Sequence, residues 1–231
     1  MAPAKTAEAE RVKLSRSAVV DRALALADAE GIDALTIRRL AQEVGVTPMA
    51  LYWHFRNKDE LIAALTDRIW GEIRSDIDPG AAWPAQLRWL LESLIEVLRT
   101  HACAPSLLAS GIKLGPSHWQ VTEVALDVLH RAGFDALHAS EIARSALWTG
   151  LALVMSEPGF DPALPDAEQA EARRRKQIEL ASLPLEKYPR LVEAAVPMTA
   201  CPEDPDFHYR FGADLFVAGV QAMAPGSPDG S

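Results

Sequence analysis

The segment from Thr36 to Lys58 holds the side chains best suited to binding chemistry. Arginine can donate two hydrogen bonds to a guanine edge, and lysine or the N–H groups at a helix start can hold phosphates. Arg38 is therefore a candidate guanine contact, and Lys58 a candidate phosphate contact beside the backbone N–H groups near Asn57. The candidates for a groove or phosphate surface follow in one short stretch: Thr47, Pro48, Met49, Ala50, Tyr52, Trp53 and His54.

That short stretch has little capacity for bidentate base contacts, because it lacks Arg, Asn and Gln. Thr47, Met49 and Ala50 are instead suited to contacts with thymine methyl groups. The aromatic residues allow two interpretations: core packing in an ordinary three-helix unit, or exposure for binding. We expect Phe55 to be in the core, and Tyr52 and Trp53, together with His54, to lie on the surface.

Capping signals predict the elements that position these residues. Thr36 can cap a helix over 37–44 that Gly45 ends, Thr47 can cap the next helix, and Asn57 a third. Two short helices around a glycine turn form the helix-turn-helix layout, in which the first helix supports the second at an angle. The residues spaced to pack the two helices together are Leu40, Val44, Val46 and Leu51.

The rest of the chain also predicts helices, since no run shows sustained alternation of apolar and polar residues. The stretch between Pro105 and Gly115 predicts irregular structure. A helix over 140–156 is apolar on two sides, so it needs cover on both: its own core covers one side, and a second subunit is a candidate for the other. A last helix is predicted over 205–223.

Composition and charge exclude several classes of protein. The 231 residues carry a net charge of −9, yet residues 11–58 carry +3, which suits a basic module on an acidic body. Two cysteines exclude a disulfide framework and a four-thiolate zinc site. No apolar run predicts a signal peptide or a membrane span, so we expect a cytoplasmic protein. His118 and His130 lack partners at metal-ligand spacing. The sequence contains neither a hydrolase motif nor a phosphate-loop motif, so it does not predict an enzyme.

The chain resembles the tetracycline-repressor (TetR) family of bacterial regulators. The resemblance rests on Thr36-Ile-Arg-Arg-Leu-Ala, Gly45-Val, Leu51-Tyr-Trp-His-Phe55 and Asn57-Lys58, and continues more loosely through Ala132-Gly133-Phe134, Trp148-Thr-Gly150 and Phe211-Gly-x-x-Leu215. It implies an all-α fold, with a three-helix helix-turn-helix domain and a larger helical ligand-binding and dimerisation domain. The expected divisions are a disordered tail (1–13), a DNA-binding domain (14–60), a ligand and dimer domain (61–223) and a second tail (224–231).

The resemblance also implies roles for particular positions. The family's guanine-reading arginine falls on Arg38, its groove-facing positions on Thr47 to Ala50, Tyr52 and His54, and its phosphate lysine on Lys58. The helices over 140–156 and 205–223 match the pair that forms a four-helix dimer bundle. A two-fold dimer implies a near-palindromic operator.

Departures from the tetracycline repressor change the expected ligand. Its magnesium-binding histidine falls on Lys113, and its metal-side carboxylate on Ser156 or, with a one-residue slip, Glu157. Its drug-binding polar residues fall on Arg74, Leu90 and Ala125. We therefore expect no magnesium, no tetracycline, no other cofactor, and an apolar or aromatic effector. The candidate effector-binding residues are Trp70, Arg74, Leu90, Leu94, His101, Trp119, Trp148 and Met155.

The predicted function is that of a repressor that binds its operator as a dimer and is released by a small molecule. Two alternatives remain at this point. One is a dimeric small-molecule-binding module without DNA recognition, which the unusual Thr47-Pro-Met-Ala50 stretch permits. The other is a hydrolytic enzyme.

Overall fold

The computed structural model describes residues 15–110, 115–156, 166–199, 204 and 206–226, and over these residues the regular structure is helical with no strand. The all-α prediction is confirmed. The helices are α1 (Arg16–Glu30), α2 (Ile37–Val44), α3 (Pro48–Tyr52), α4 (Lys58–Trp70), α5 (Trp83–Thr100), α6 (Ala104–Ala109), α7 (Pro116–Arg131), α8 (Ala136–Met155), α9 (Asp166–Ala181), α10 (Pro189–Glu193), α11 (Ala195–Thr199) and α12 (Phe207–Ala222).

Some sequence predictions concern residues outside the described ranges. The tail over 1–13 is one, and so are residues 227–231 of the second tail. Lys113 and Glu157 are others. In the part of the chain that the structure describes, no helix is both long and apolar enough to cross a membrane.

The part of the stretch after Pro105 that the structure describes is helical as far as Ala109, so the prediction of irregular structure was wrong there. Helix α6 forms because Leu107 and Leu108 are buried in the core, and the helix packs against α4, α5 and α8. Six residues are too few for periodicity to reveal a helix, so only the tertiary contacts explain it.

The body is built on α5, which packs against α7, α8 and α12. Helices α8 and α12 approach closely where Gly212 faces Leu153, since a Cβ at Gly212 would overlap that leucine side chain. Helices α9, α10 and α11 pack chiefly on one another.

One large core cluster joins the first three helices to the body through α4. Leu61, Leu65 and Ile69 on α4 belong to the same cluster as Leu51 of α3 and Leu98 of α5. A second, smaller cluster lies between α5, α7, α8 and α12. Helix α4 is therefore packed against α1 as well as against the body.

Both apolar stripes predicted on α8 are covered inside the subunit. Ile142 and Leu151 are buried, and Leu147 and Leu153 are half-buried, because α5, α7 and α12 pack around the helix. The apolar residues that α8 exposes form a third stripe: Leu137, Trp148 and Met155.

Candidate nucleic-acid interface and ligand cavity

Side-chain caps set the geometry of the helix-turn-helix. Thr36 Oγ1 accepts a hydrogen bond from the N–H of Arg39 at 3.0 Å and begins α2. Gly45 ends α2 with φ of 75°, a left-handed conformation that favours glycine. Thr47 then caps α3 through the N–H of Ala50, and Pro48 occupies the first turn, where no N–H is needed. Asn57 caps α4 by accepting a hydrogen bond from the N–H of Glu60 at 2.8 Å, so the capping predictions for Thr36, Gly45, Thr47 and Asn57 are confirmed.

The predicted packing between α2 and α3 is also present. Leu40 and Leu51 are fully buried, and Val44 and Val46 pack against the same core cluster. Phe55 is fully buried as well, which confirms its assignment to the core. Because the inner face of α3 packs in the core, only its outer face is available to contact another molecule.

The outer face of α3 and the residues that follow it carry exposed apolar and aromatic side chains. Met49 and Tyr52 are exposed, and Trp53 is 86% exposed. Ala50 and His54 are half-buried, whereas Thr47 and Pro48 are exposed. Large apolar side chains grouped on a surface are typical of an interaction site. The structure therefore brings the seven predicted residues from Thr47 to His54 onto or beside one short helix.

Arg38 and Arg39 are neighbours with different surroundings. Arg39 bonds Glu30 at 2.6 Å and Glu43 at 3.0 Å, so it ties α2 to α1. Among the described residues, Arg38 has no such ion pair, and its side chain is exposed. Arg38 can therefore bind an external anion or a base edge without breaking an internal contact.

Arg16 is a positioning residue that sequence reasoning missed. Its guanidinium bonds Glu60 at 3.1 Å and the carbonyl of His54 at 3.3 Å, and lies 4.7 Å from the Phe55 ring centroid. It thereby joins the start of α1 to the α3–α4 turn, close to Lys58. The partners are 38 to 44 residues away in sequence, so no local pattern could have revealed them.

His101 lies at the junction between the first helices and the body. Its Nδ1 bonds Asp28 of α1 at 2.7 Å, and its Nε2 bonds Glu72, just after α4, at 2.8 Å. Burial opposes the charged imidazolium, but the hydrogen bonds with Asp28 and Glu72 outweigh burial and raise the pKa of His101. His101 thus ties α1, the end of α4 and the end of α5 together.

A cavity of about 240 Å³ lies between α4, α5, α7 and α8. Three of the predicted effector residues, Trp70, Leu90 and Leu94, line it. The other apolar lining residues are Ile73, Leu87, Leu91, Val121, Ala125, Leu126, Ala143, Ala146 and Leu147, and the polar ones are His118, Thr122, Ser140 and Arg144. A mostly apolar cavity with a few polar groups is typical of a small-molecule site.

Five predicted effector residues lie elsewhere. Arg74 is on the surface, where it bonds Glu96 at 2.5 Å and stacks on Trp89. His101 occupies the junction, and Trp119, Trp148 and Met155 are exposed. Helical periodicity could not separate these residues from the lining, because it does not show which stripe of a helix a neighbour covers.

His118 is a cavity residue that sequence reasoning overlooked. His118 lacks partners at metal-ligand spacing, but it lies on the stripe of α7 that lines the cavity, together with Val121, Thr122 and Ala125. Spacings of three, four and seven residues place these side chains on one face of a helix. That spacing was the signal that could have identified it.

The lining does not fit a magnesium–tetracycline complex. Among the described lining residues there is no carboxylate, and the oxygen donors are the hydroxyls of Thr122 and Ser140. The side chains of Leu90 and Ala125, where the resemblance to the tetracycline repressor places two drug-binding positions, present only carbon atoms to the cavity. Mg²⁺ requires an octahedral set of oxygen ligands, usually including carboxylates.

Helices α8 and α12 expose an apolar surface. The large apolar side chains that α12 exposes are Phe207, Phe211 and Leu215, with the two phenylalanine rings stacked at 5.8 Å. The exposed stripe on α8 adds Trp148 and Met155. Contiguous apolar surface of this kind is typical of a protein–protein interface.

Two families match the sequence over most of its length. Residues 19–65 match the family described as bacterial regulatory proteins, tetR family. Residues 78–224 match the family described as tetracyclin repressor-like, C-terminal domain.

Individual relatives are similar along nearly the whole chain. The HTH-type transcriptional repressor DrrR1 of Streptomyces coeruleorubidus is 27% identical, over 91% of this chain and 78% of that protein. The crystal structure of the TetR family protein ActR of Streptomyces coelicolor with actinorhodin is 27% identical, with a TM-score of 0.77 over 91% of this chain and 98% of ActR. The crystal structure of BioQ with its natural double-stranded DNA operator is 27% identical, with a TM-score of 0.60 over 91% and 99% of the two chains.

Proposed function

Because the chain belongs to the tetracycline-repressor family of bacterial regulatory proteins, we propose that it represses transcription as a dimer on a near-palindromic operator and is released by a small apolar or aromatic molecule. Membership of this family makes the chain a ligand-responsive transcriptional regulator and not an enzyme. The hydrolytic alternative is thereby excluded.

The observation that carries the proposal is the path of α4. Its first residue, Lys58, lies at the capped turn after α3, and its last residue, Trp70, lines the cavity. A 13-residue helix is a rigid rod roughly 20 Å long. A molecule that displaces Trp70 therefore displaces the helix-turn-helix as well.

The proposed DNA contacts use the surface described above. Arg38 reads a guanine, the exposed residues from Thr47 to Tyr52 meet the groove, and Lys58 binds a phosphate. Trp53 and His54 complete the surface beside the sugar–phosphate backbone. The crystal structure of BioQ with its double-stranded DNA operator supports this use of the same fold.

The proposed dimer forms through α8 and α12, whose exposed apolar residues would be covered by the same residues of a second copy. A two-fold dimer holds two copies of α3 at a fixed separation, and successive major grooves lie about 34 Å apart. Ligand binding at Trp70 changes that separation through α4. The effector shifts the equilibrium only by its difference in affinity for the two arrangements.

Fluorescence anisotropy with labelled DNA from beside the protein's own gene tests the proposal. The titration is done at near-physiological salt with excess nonspecific competitor, because phosphate contacts make affinity depend on salt. We expect tight, competitor-resistant binding by one dimer per site. Competitor DNA could instead abolish binding to the DNA beside the gene. If it also abolishes binding to every fragment selected from the whole genome, the chain is a binding module without DNA recognition.

A further inference from the structure

Two nitrogen atoms in the wall of the cavity are buried without partners. Among the described residues, neither Trp70 Nε1 nor His118 Nδ1 has a hydrogen-bond partner. Trp70 is only 5% exposed, so water does not replace the missing partner at the surface. Buried polar groups are almost always hydrogen-bonded, because leaving one unpaired costs free energy.

The two residues lie side by side. Their ring centroids are 4.5 Å apart, and the ring planes are nearly perpendicular at 86°. Both side chains line the same cavity. As the side chains stand, neither nitrogen is open to a water-sized atom, so a bound molecule brings one polar group to both only by turning the two rings toward the cavity.

The hydrogen-bonding capacity of the pair restricts that group. Trp70 Nε1–H only donates, so the ligand atom must accept. His118 Nε2 lies 3.4 Å from the Thr122 hydroxyl, and either tautomer is compatible with that contact. Burial lowers the pKa of His118, so its ring is neutral and Nδ1 either donates or accepts. A hydroxyl group satisfies both cases, because it can accept and donate.

The remaining wall favours an uncharged aromatic body. Most other lining side chains are aliphatic, including Leu90, Leu91 and Leu94. Arg144 is the one cation among the described lining residues, and it is exposed and paired with Glu141. A buried carboxylate would therefore lack a counter-ion. An engineered cavity of about 150 Å³ accepts one benzene ring, so a cavity of about 240 Å³ suits two fused rings.

We propose that the effector class is a neutral aromatic compound of about two fused rings with a hydroxyl group, which accepts a hydrogen bond from Trp70 and exchanges a second one with His118. This inference rests on the proposed function, because it assigns the chemistry of the molecule that releases the operator. It makes His118 a specificity-determining residue.

Isothermal titration calorimetry of the full-length protein with three probes tests the assignment. The probes are 2-naphthol, 2-methylnaphthalene, in which a methyl group replaces the hydroxyl, and 2-naphthoate, which carries a charge. Burial of apolar surface alone favours 2-methylnaphthalene, so any preference for 2-naphthol reports hydrogen bonds. We expect 2-naphthol to bind at least about tenfold tighter than either other probe.

Trp70→Phe and His118→Phe keep a ring in place and remove one nitrogen partner each. Each variant should lose most of the 2-naphthol preference and retain 2-methylnaphthalene binding. Trp119→Phe is the matched control on α7, since Trp119 is 61% exposed and lies outside the lining. Thermal unfolding checks the fold of each variant.

The assignment is overturned if wild-type protein shows no 2-naphthol preference, binds 2-naphthoate most tightly, or keeps its preference in both variants. Operator binding is measured separately on the same samples. A missing 2-naphthol preference with intact operator binding contradicts the ligand class alone. The expected preference without any operator binding contradicts the regulator function alone.

Discussion

The helix-turn-helix and the ligand cavity leave different kinds of groups without partners. In the first region Thr36, Thr47 and Asn57 cap the starts of α2, α3 and α4, and among the described residues the exposed side chains of Arg38 and Trp53 have no hydrogen-bond or ion-pair partner. In the cavity the unpaired groups are nitrogen atoms inside an apolar wall.

The difference teaches how each region selects its partner. An exposed cation is hydrated, so leaving it unpaired costs little free energy. When it binds DNA, the release of counter-ions from the DNA favours the complex. A buried N–H gains a hydrogen bond only from a molecule that fills the cavity and carries the matching group. Affinity of the first region should therefore fall with salt, whereas affinity of the cavity should depend on one functional group.

Separating the subunits would have the largest effect, because it should abolish operator binding while the cavity persists. Leu215 on α12 is 66% exposed, so Leu215→Asp should not unfold the subunit. A carboxylate buried in the proposed interface should weaken dimerisation by at least about 100-fold, or roughly 3 kcal/mol. Sedimentation equilibrium measures the dimer dissociation constant, and anisotropy measures the loss of operator binding.

The neighbouring residue provides the control for this experiment. Asp214 pairs with Arg88 of its own chain, so Asp214→Ala should leave the dimer intact. A Leu215→Asp variant that remains as dimeric as the wild type would contradict an interface through α12.

Truncating Arg38 should have the next largest effect, confined to the DNA-binding surface. Arg38→Ala should cost about 1–3 kcal/mol of operator binding and relax the preference at one base pair. Arg39→Ala removes the same charge from the adjacent position but breaks contacts with Glu30 and Glu43, so it should lower stability more than base preference. Equal losses of base preference in the two variants would refute the assignment of Arg38 as the reading residue.

The junction between the two regions should respond to pH through His101. Folding raises the pKa of His101. Protonated His101 therefore stabilises the folded protein fully at a pH below its pKa in the unfolded chain, about 6.5. This stabilisation is lost as the pH rises through the pKa of His101 in the folded protein. His101→Asn should cost about 1–3 kcal/mol at pH 5.5, and the difference from wild type should shrink as the pH rises. Urea unfolding from pH 5.5 to 8.5 measures it.

His130→Asn is the control for the junction experiment. His130 is exposed on α7, and among the described residues it has no carboxylate partner. Its substitution should leave the pH dependence unchanged. A constant difference between wild type and His101→Asn at every pH would mean that the imidazolium charge does not hold the junction.

The smallest effect is expected at Arg74, which tests the boundary of the cavity. Its exposed pairing with Glu96 is worth at most about 1 kcal/mol of stability. Arg74→Ala should change the affinity for 2-naphthol by less than about twofold, because the side chain lies outside the lining. Calorimetry that showed a larger loss would place Arg74 in the ligand site after all.

Sequence reasoning reached further in the first region than in the second. The caps, the glycine turn, the packing of Leu40 on Leu51 and the burial of Phe55 were all predicted, because each depends on residues within about twenty positions. Of the eight residues that the sequence predicted to bind the effector, Trp70, Leu90 and Leu94 line the cavity and five lie outside the lining. The sequence did not predict His118, which lines it.

The sequence by itself determined the all-α class, the helix-turn-helix and the apolar character of the cavity wall, since caps, periodicity and composition are local properties. Tertiary structure alone decided which stripe of each helix faces the cavity, that Arg39 is paired while Arg38 is not, and that His101 ties α1 to α4. A helix offers several faces with similar composition, and only the neighbours packed against it determine which face is buried.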